Sequence, residues 1–207
     1  DVTQRVEVEQ TLAKEVAEIA LRQSEQALQL KADSLTIINA IATSLHRAPD
    51  YRSVIKRAAE AIVEFTQAPS VAFFVLDQTA NQLKLLAGHG FSDKTLAVGS
   101  RLPVEGSLSG ITIAQKQVVT SEDILNDDRL KPEVREALAE QGLQNVVSLP
   151  LLFQEQVLGV VNLIYIEPQQ LTEQDRETLL TIGRTIGLAM VNAERFEHIQ
   201  NNEQTAQ

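Results

Sequence analysis

One compact α/β unit bracketed by two long helices is the fold class this sequence predicts, and three observations carry it. The first 48 residues hold neither Pro nor Gly and are rich in Ala, Leu, Glu, Gln and Lys, which is the composition of a single long helix. Val146–Ile166, VVSLPLLFQEQVLGVVNLIYI, consists of two apolar runs of strand length joined at Gln154-Glu155-Gln156, the pattern of a β-hairpin. After Pro168, the spacing Thr172-Glu173-Gln174-Asp175 opens a second long helical pattern with a capping signature.

Composition sets the outer bounds. At 207 residues and 43% apolar side chains, the chain can bury a real core. A formal charge of −10 excludes a sequence-independent nucleic-acid surface, which needs clustered Lys and Arg. Cysteine is absent, so disulfides, thiolate zinc sites, thiol nucleophiles and thioether-linked cofactors are excluded together. No run approaches the ~18 apolar residues of a membrane span, no signal segment opens the sequence, and a cytoplasmic setting is expected. The first residue is Asp1, which suggests a piece of a longer protein.

Within the first helix a three-four spacing runs through Leu12, Val16, Ile19, Gln23, Gln26, Leu30, Asp33 and Ile37. Two readings stand side by side. The helix is either solvated, docking only its last turns through Leu35, Ile38, Ala42 and Leu45, or it forms a parallel dimer seam whose polar positions fix the register. The dimer is the expectation, because a lone polar helix of this length has little to bury against. Ala48-Pro49-Asp50 breaks the helix, with Asp50 as N-cap of the next one. There Val54, Ala58, Ala61, Ile62 and Phe65 form a core-facing stripe.

Ser70–Asp77, SVAFFVLD, reads as a buried strand, and Gln78–Asn81 turns into a second strand, Gln82–Ala87. From Gly88 to Arg129 five glycines fall in a stretch whose one helix-like piece is Ser107–Gln115, so a folded-over loop with short elements is expected. Gln117–Thr120 reads as a short strand and Asp123–Asp128 as an acidic loop. Pro132 suits the first turn of a helix that carries Val134 and Leu138 and stops at Gly142.

In the hairpin, Val147, Leu149, Leu151 and Phe153 share one face while Val146, Ser148, Pro150 and Leu152 share the other. Both faces are largely apolar, which puts the hairpin near the middle of a sheet covered on both sides. The final helix carries Leu179, Ile182, Ile186, Ala189, Ala193 and Phe196 at alternating spacings of three and four. Its first half suffices to cover the sheet, and its continuation to about Gln200 points toward a partner helix or a downstream domain.

Candidate chemistry is sparse. Three histidines make no constellation. His46 and His198 lie on the bracketing helices, and His89, between Gly88 and Gly90, is the one credible axial ligand for a haem. The glycines match neither a phosphate loop nor a dinucleotide fingerprint, no nucleophile elbow occurs, and Asp123, Asp127 and Asp128 lack calcium-loop spacing. Arg101 and Arg129 flank the Gly-rich segment, as anion partners or as partners of nearby carboxylates. The start of the helix at Ser107 is a further anion-attracting point if it faces inward.

Taken together, LLAGHGFSDKTLAVGSRLPVEGSLSGITIAQKQVVTSEDILNDDR, the hairpin and LTEQDRETLLTIGRTIGLAMVNA closely resemble a GAF domain over roughly residues 50–195. The landmarks are Gly106-x-x-x-Gly110, Asp123 with Asp128-Arg129, Ser148-x-Pro150-Leu151 and Leu158-Gly159-Val160. The resemblance implies an α+β fold: an antiparallel sheet of about six strands, helices on one face, and a ligand pocket roofed by the Gly-rich segment on the other. It implies residues 1–48 as a signalling and dimerisation helix, 49–185 as the domain core and 186–207 as an extension toward an output domain such as a histidine kinase or cyclase. Pocket residues expected on this basis are Phe74, Arg101, Ser107, Leu108, Gly110, Asp123, Arg129 and Ser148, with Phe73 in place of Phe74 if the strand phase is the opposite one.

Departures from the family matter as much. Bilin-binding members and the free methionine sulfoxide reductases of this fold use a Cys, and none is present. Members that bind cyclic nucleotides carry Asn-Lys, Phe and Asp-Glu where this chain has Ile166-Glu167, Leu171 and Asp175-Arg176, so only the Asp is retained. The expected module is non-catalytic and homodimeric, with no nucleic-acid or membrane contact and an open choice of small-molecule ligand. The alternatives are a ligand-free spacer whose roof collapses onto Phe74 and Ser148, and a haem sensor through His89.

Overall fold

The computed structural model describes the backbone of residues 2–46, 48 and 50–205 and the side chains of 14–29, 31–45, 48 and 50–195. The side chains of Leu12, Leu30, His46, Pro49, Phe196 and His198, on which several sequence expectations rest, lie outside these. The chain divides into two units, Asp1–Asn39 and Ala40–Gln207.

The first unit is the bulk of helix α1, Val2–His46. Five of its large apolar side chains face water: Val16, Ile19, Leu21, Leu28 and Leu35 are all more than half exposed, while Ile37 and Ile38 are half-buried. Leu35, expected on the docked turns, is 56% exposed. Leu21, Leu28 and Leu35 stand one heptad apart, on a face other than the one that carries Val16 and Ile19.

The second unit starts with the last turns of α1, where Ile41 and Leu45 are buried. Helix α2, Tyr51–Thr66, is capped by Asp50, whose carboxylate accepts from the Ser53 N–H at 2.7 Å, and Val54, Ile55, Ala58 and Ile62 are buried along it. Strands β1, Ser70–Asp77, and β2, Gln82–His89, form the first hairpin. Then come α3, Asp93–Val98, β3, Arg101–Pro103, α4, Leu108–Gln115, and β4, Val119–Ser121. A 3-10 turn at Ile124–Asn126 precedes α5, Pro132–Glu140. The second hairpin, β5, Asn145–Phe153, and β6, Gln156–Tyr165, leads into α6, Glu173–Thr205.

The six strands make one antiparallel sheet in the order β3-β2-β1-β6-β5-β4. The apolar hairpin thus supplies one of the two central strands and its neighbour. Along the sheet, Ala72, Phe74, Val146, Val160, Asn162 and Ile164 turn to one face, while Phe73, Leu149, Leu151, Val161 and Leu163, all 0% exposed, turn to the other. α2 and α6 cover the second face. α6 begins with a true capping box: Asp175 accepts from the Thr172 N–H at 2.9 Å and its own N–H donates to Thr172 Oγ1 at 3.2 Å. Gly183 and Gly187 then let the helix backbone lie against β5, for a Cβ at either position would overlap the carbonyl oxygen of Pro150 or Leu152.

One expectation is corrected here. The Gly-rich stretch holds more regular structure than the single helix at Ser107–Gln115. Ser92 caps α3 by accepting from the Thr95 N–H at 3.2 Å, β3 extends the sheet along β2, and the acidic segment carries the 3-10 turn. These are short elements whose stability comes from contacts distant in sequence, which local propensity does not register.

Candidate ligand pocket

The face of the sheet away from α2 and α6 is roofed by α3, α4 and α5, and a cavity of about 300 Å³ lies between roof and sheet. Its floor is Ala72 and Phe74 of β1, Val146 of β5, and Asn162 and Ile164 of β6. Leu85, Phe91 and Leu102 also line it, and Leu108, Val134 and Leu138 come down from the roof. Glu105, Gly106, Asp128, Lys131 and Pro132 are its exposed members and mark the opening.

The roof is held by specific polar contacts. Ser107 caps α4, its Oγ accepting from the Gly110 N–H at 2.9 Å and donating to the Pro103 carbonyl at 2.6 Å. Gly110 sits directly beneath the Val104 carbonyl, where a Cβ would overlap the oxygen. Thr95 Oγ1 on α3 donates to Gln141 Oε1 at 2.6 Å, and the Gln141 amide donates to the Gly90 carbonyl at 3.2 Å, tying α3 to the end of α5. Lys94 and Glu140 reinforce that link with an exposed ion pair at 2.6 Å, a contact of small energetic weight in water.

Inside, one polar pair crosses from roof to floor. Asn162 Nδ2 donates to Ser109 Oγ at 3.1 Å, with both residues buried. Arg129, at the wall, donates from Nε and Nη2 to the two carboxylate oxygens of Asp127 at 2.8 and 2.5 Å, and from Nη2 to the Thr120 carbonyl at 3.1 Å. The guanidinium beside Asp127 holds its carboxyl down at about 2 against an ordinary 3.8, and the same pairing pushes the Arg129 value up. This is the geometry of a bidentate, charge-assisted pair.

Of the eight side chains and backbone positions expected at the pocket, Phe74, Ser107, Leu108 and Arg129 line the cavity. The others stand elsewhere. Arg101 is exposed on edge strand β3, and its carbonyl accepts from Lys131 Nζ at 3.0 Å. Asp123 caps the 3-10 turn, accepting from the Leu125 N–H at 3.1 Å and from Asn126 Nδ2 at 2.6 Å. Gly110 is occupied by the close approach of Val104. Ser148 lies fully buried opposite Asn162 in the β5–β6 ladder, with an Oγ that finds no hydrogen-bond partner among the described residues. His89 is exposed at the end of β2 and is no part of the lining, so the residue expected to ligate a haem does not face the cavity.

Sequence reasoning missed Asn162, Ser109, Thr95 and Phe91. Asn162 had a signal: it is the one strongly polar side chain inside the apolar run Val157–Tyr165, and a lone amide there needs a buried partner. Among the described residues no group of His, Asp or Glu side chains has the arrangement to hold a metal ion, and no helix is long and apolar enough to cross a membrane.

These features can be set against known proteins. The family model described as GAF domain matches residues 48–191. No curated protein matches the sequence. Among solved structures, the chain is similar to the GAF domain of a phosphoenolpyruvate-protein phosphotransferase from Coxiella burnetii, at 20% identity and a TM-score of 0.68 over 80% of this chain and 96% of that one. The corresponding Acinetobacter domain gives 14% identity and a TM-score of 0.64, over 80% of this chain and 97% of that one. A domain of a putative two-component sensor histidine kinase from Sinorhizobium meliloti gives 16% and 0.57, over 70% of this chain and 93% of that one. At these identities the structural likeness establishes the fold alone, while the family match spans most of the sequence. With its six-stranded antiparallel sheet, helices behind and roofed pocket in front, the chain belongs to the GAF domain family of sensory and regulatory modules.

Proposed function

We propose that the chain is a non-catalytic sensory domain that binds a small molecule in the cavity over Phe74 and Asn162, dimerises, and relays the bound state through its terminal helices to a linked output domain such as a histidine kinase or cyclase. The observation that carries this reading is the cavity itself: about 300 Å³, roofed, mainly apolar, with a single polar pair at its floor. That is the character of small-molecule sites in general. A roof collapsed onto Phe74 and Ser148 would have supported a ligand-free spacer instead, and the space over Phe74 weighs against it. No nucleophile beside a base lines the cavity, which favours binding over catalysis.

A route for the signal follows from β5. On its roof side the strand gives Val146 to the floor, and on the other its carbonyls at Pro150 and Leu152 touch α6 at Gly183 and Gly187. A shift of β5 on binding is transmitted to α6 with no compressible layer between them. For the dimer, the exposed Leu21, Leu28 and Leu35 stripe is the better-formed seam, since heptad-spaced leucines suit a helix pair.

Mass spectrometry of small molecules released from the purified, denatured protein tests the binding reading, with thermal shifts on adding back whatever is released. A ligand that stabilises the wild type but not a cavity-filling Ala72→Phe variant is the expected result. Sedimentation that gives a monomer for the full chain overturns the dimer, and a Leu28→Lys variant that sediments like a dimeric wild type overturns the leucine seam.

A further inference from the structure

Resting on that binding reading, we infer the chemical class of the ligand: an uncharged, largely apolar molecule about two fused rings in size, fixed at one polar point by Asn162, and not an anion. The inference comes from following each group at the cavity wall that could hold a negative charge. Arg129 spends its Nε and Nη2 donors on Asp127 and the Thr120 carbonyl, so its charge is cancelled where it stands. Lys131 reaches across the opening to the Arg101 carbonyl at 3.0 Å, and Glu105 and Asp128 share the same exposed rim. At the start of α4, which the sequence marks as an anion-attracting point, two of the first three N–H groups are already engaged. The Leu108 N–H donates to the Arg129 carbonyl at 3.0 Å and the Gly110 N–H to Ser107 Oγ at 2.9 Å.

What remains facing the space is apolar, with Phe74, Leu85, Phe91, Leu102, Val146 and Ile164 around it. Bringing a carboxylate or phosphate into such surroundings costs far more than it returns without a paired cation. Asn162 is different. It is 8% exposed and borders the cavity, and its contacts with Ser109 Oγ are one amide hydrogen donated at 3.1 Å and a longer hydroxyl contact to its carbonyl oxygen at 3.4 Å, which leaves that oxygen a second lone pair. A second N–H and a carbonyl oxygen still able to accept are left for a ligand hydroxyl, carbonyl or amide. For size, the cavity is about twice the ~150 Å³ of an apolar cavity that takes up benzene.

The test uses a matched pair of probes, naphthamide and naphthoate, which share shape and differ in charge, titrated into the full chain at neutral pH by calorimetry. Naphthamide is expected to bind, and naphthoate to bind about tenfold more weakly or worse. Naphthoate binding as well as naphthamide overturns the inference while leaving the pocket reading intact, and failure of both overturns the two together. Asp127→Asn supplies a second arm, because it uncovers the Arg129 charge. This variant should gain naphthoate affinity by about tenfold with naphthamide unchanged, a gain that loss of folding cannot imitate. An Asp127→Asn protein with no such gain means that Arg129 does not govern charge selection, and the inference falls.

Discussion

Phe73 and Phe74 are neighbours on β1 that point to opposite faces of one sheet, one under the helical layer and the other under the roof. Phe73 is 0% exposed, against the layer of α2 and α6, and Phe74 is 4% exposed and borders the cavity. Both count as buried. On the helical side Phe73 lines no cavity, and the backbone of α6 rests directly on β5 carbonyls. On the roof side a phenyl ring of the same size borders space that it shares with the polar pair Ser109 and Asn162. Burial alone therefore says little about rigidity or role. What distinguishes a structural face from a binding face is whether the buried side chain has neighbours on all sides.

The largest expected effect breaks the comparison directly. Phe73→Ala removes a ring from a filled layer and should cost about 3–5 kcal/mol. Phe74→Ala should cost less, roughly 1–2 kcal/mol, because dispersion contacts are already missing where the ring meets the cavity. Urea unfolding with an unchanged denaturant slope checks the pair. Equal losses would mean that the roof closes over Phe74 in solution.

Next in size is the polar pair. Asn162→Leu leaves Ser109 Oγ buried without its donor and should destabilise by about 1–3 kcal/mol. Adding Ser109→Ala removes the orphan and should return most of that loss, since replacing both partners of a buried bond by apolar groups can be nearly neutral. Strictly additive losses in the double variant would show that the two side chains do not depend on each other.

How much of this was legible in the sequence also follows the two faces. The helical face is written in periodic apolar residues: Val54, Ala58 and Ile62 on α2, Leu179, Ile182 and Ile186 on α6, and the alternation along β5 could all be read as core positions. The capping box at Thr172 and Asp175 was equally visible, since it is a purely local interaction. The roof was not. α3 depends on Gln141, 46 residues beyond Thr95, and β3 on the edge of β2. Arg101 and Arg129 looked alike as basic residues flanking glycines. Only the fold shows that one is on an exposed edge and the other is clasped by Asp127. Asn162 and Ser148 illustrate the same limit within one hairpin, because they share one ladder position and only what covers each strand decides which of the two borders the cavity.

A smaller effect concerns the wall of the pocket under acid. Asp127 titrates at about 2 when folded against an ordinary 3.8. Its pairing with Arg129 therefore contributes fully above about pH 4 and is lost as pH falls through about 2. Because the Arg129 side chain is 36% exposed, solvent screens the pair and the change stays modest. Stability measured from pH 5 down to pH 2 should fall more steeply in the wild type than in Asp127→Asn. Parallel curves would mean that the carboxylate and guanidinium do not hold each other in solution.

Ser148 gives the smallest effect and the finest test of where the cavity ends. Its hydroxyl is fully enclosed, stands opposite Asn162 in the β5–β6 ladder, and finds no partner among the described residues. A hydroxyl in that position contributes little and carries a desolvation cost, so Ser148→Ala should be neutral or stabilising by roughly 0.5–1 kcal/mol, measured as a small rise in Tm. The matching change on α4, Ser109→Ala, should lower Tm, because there the hydroxyl accepts from Asn162. Should Ser148→Ala instead lower Tm or weaken naphthamide binding, the hydroxyl must reach a ligand or an ordered water. The polar floor of the pocket would then extend beyond Asn162 to β5, the strand that touches α6.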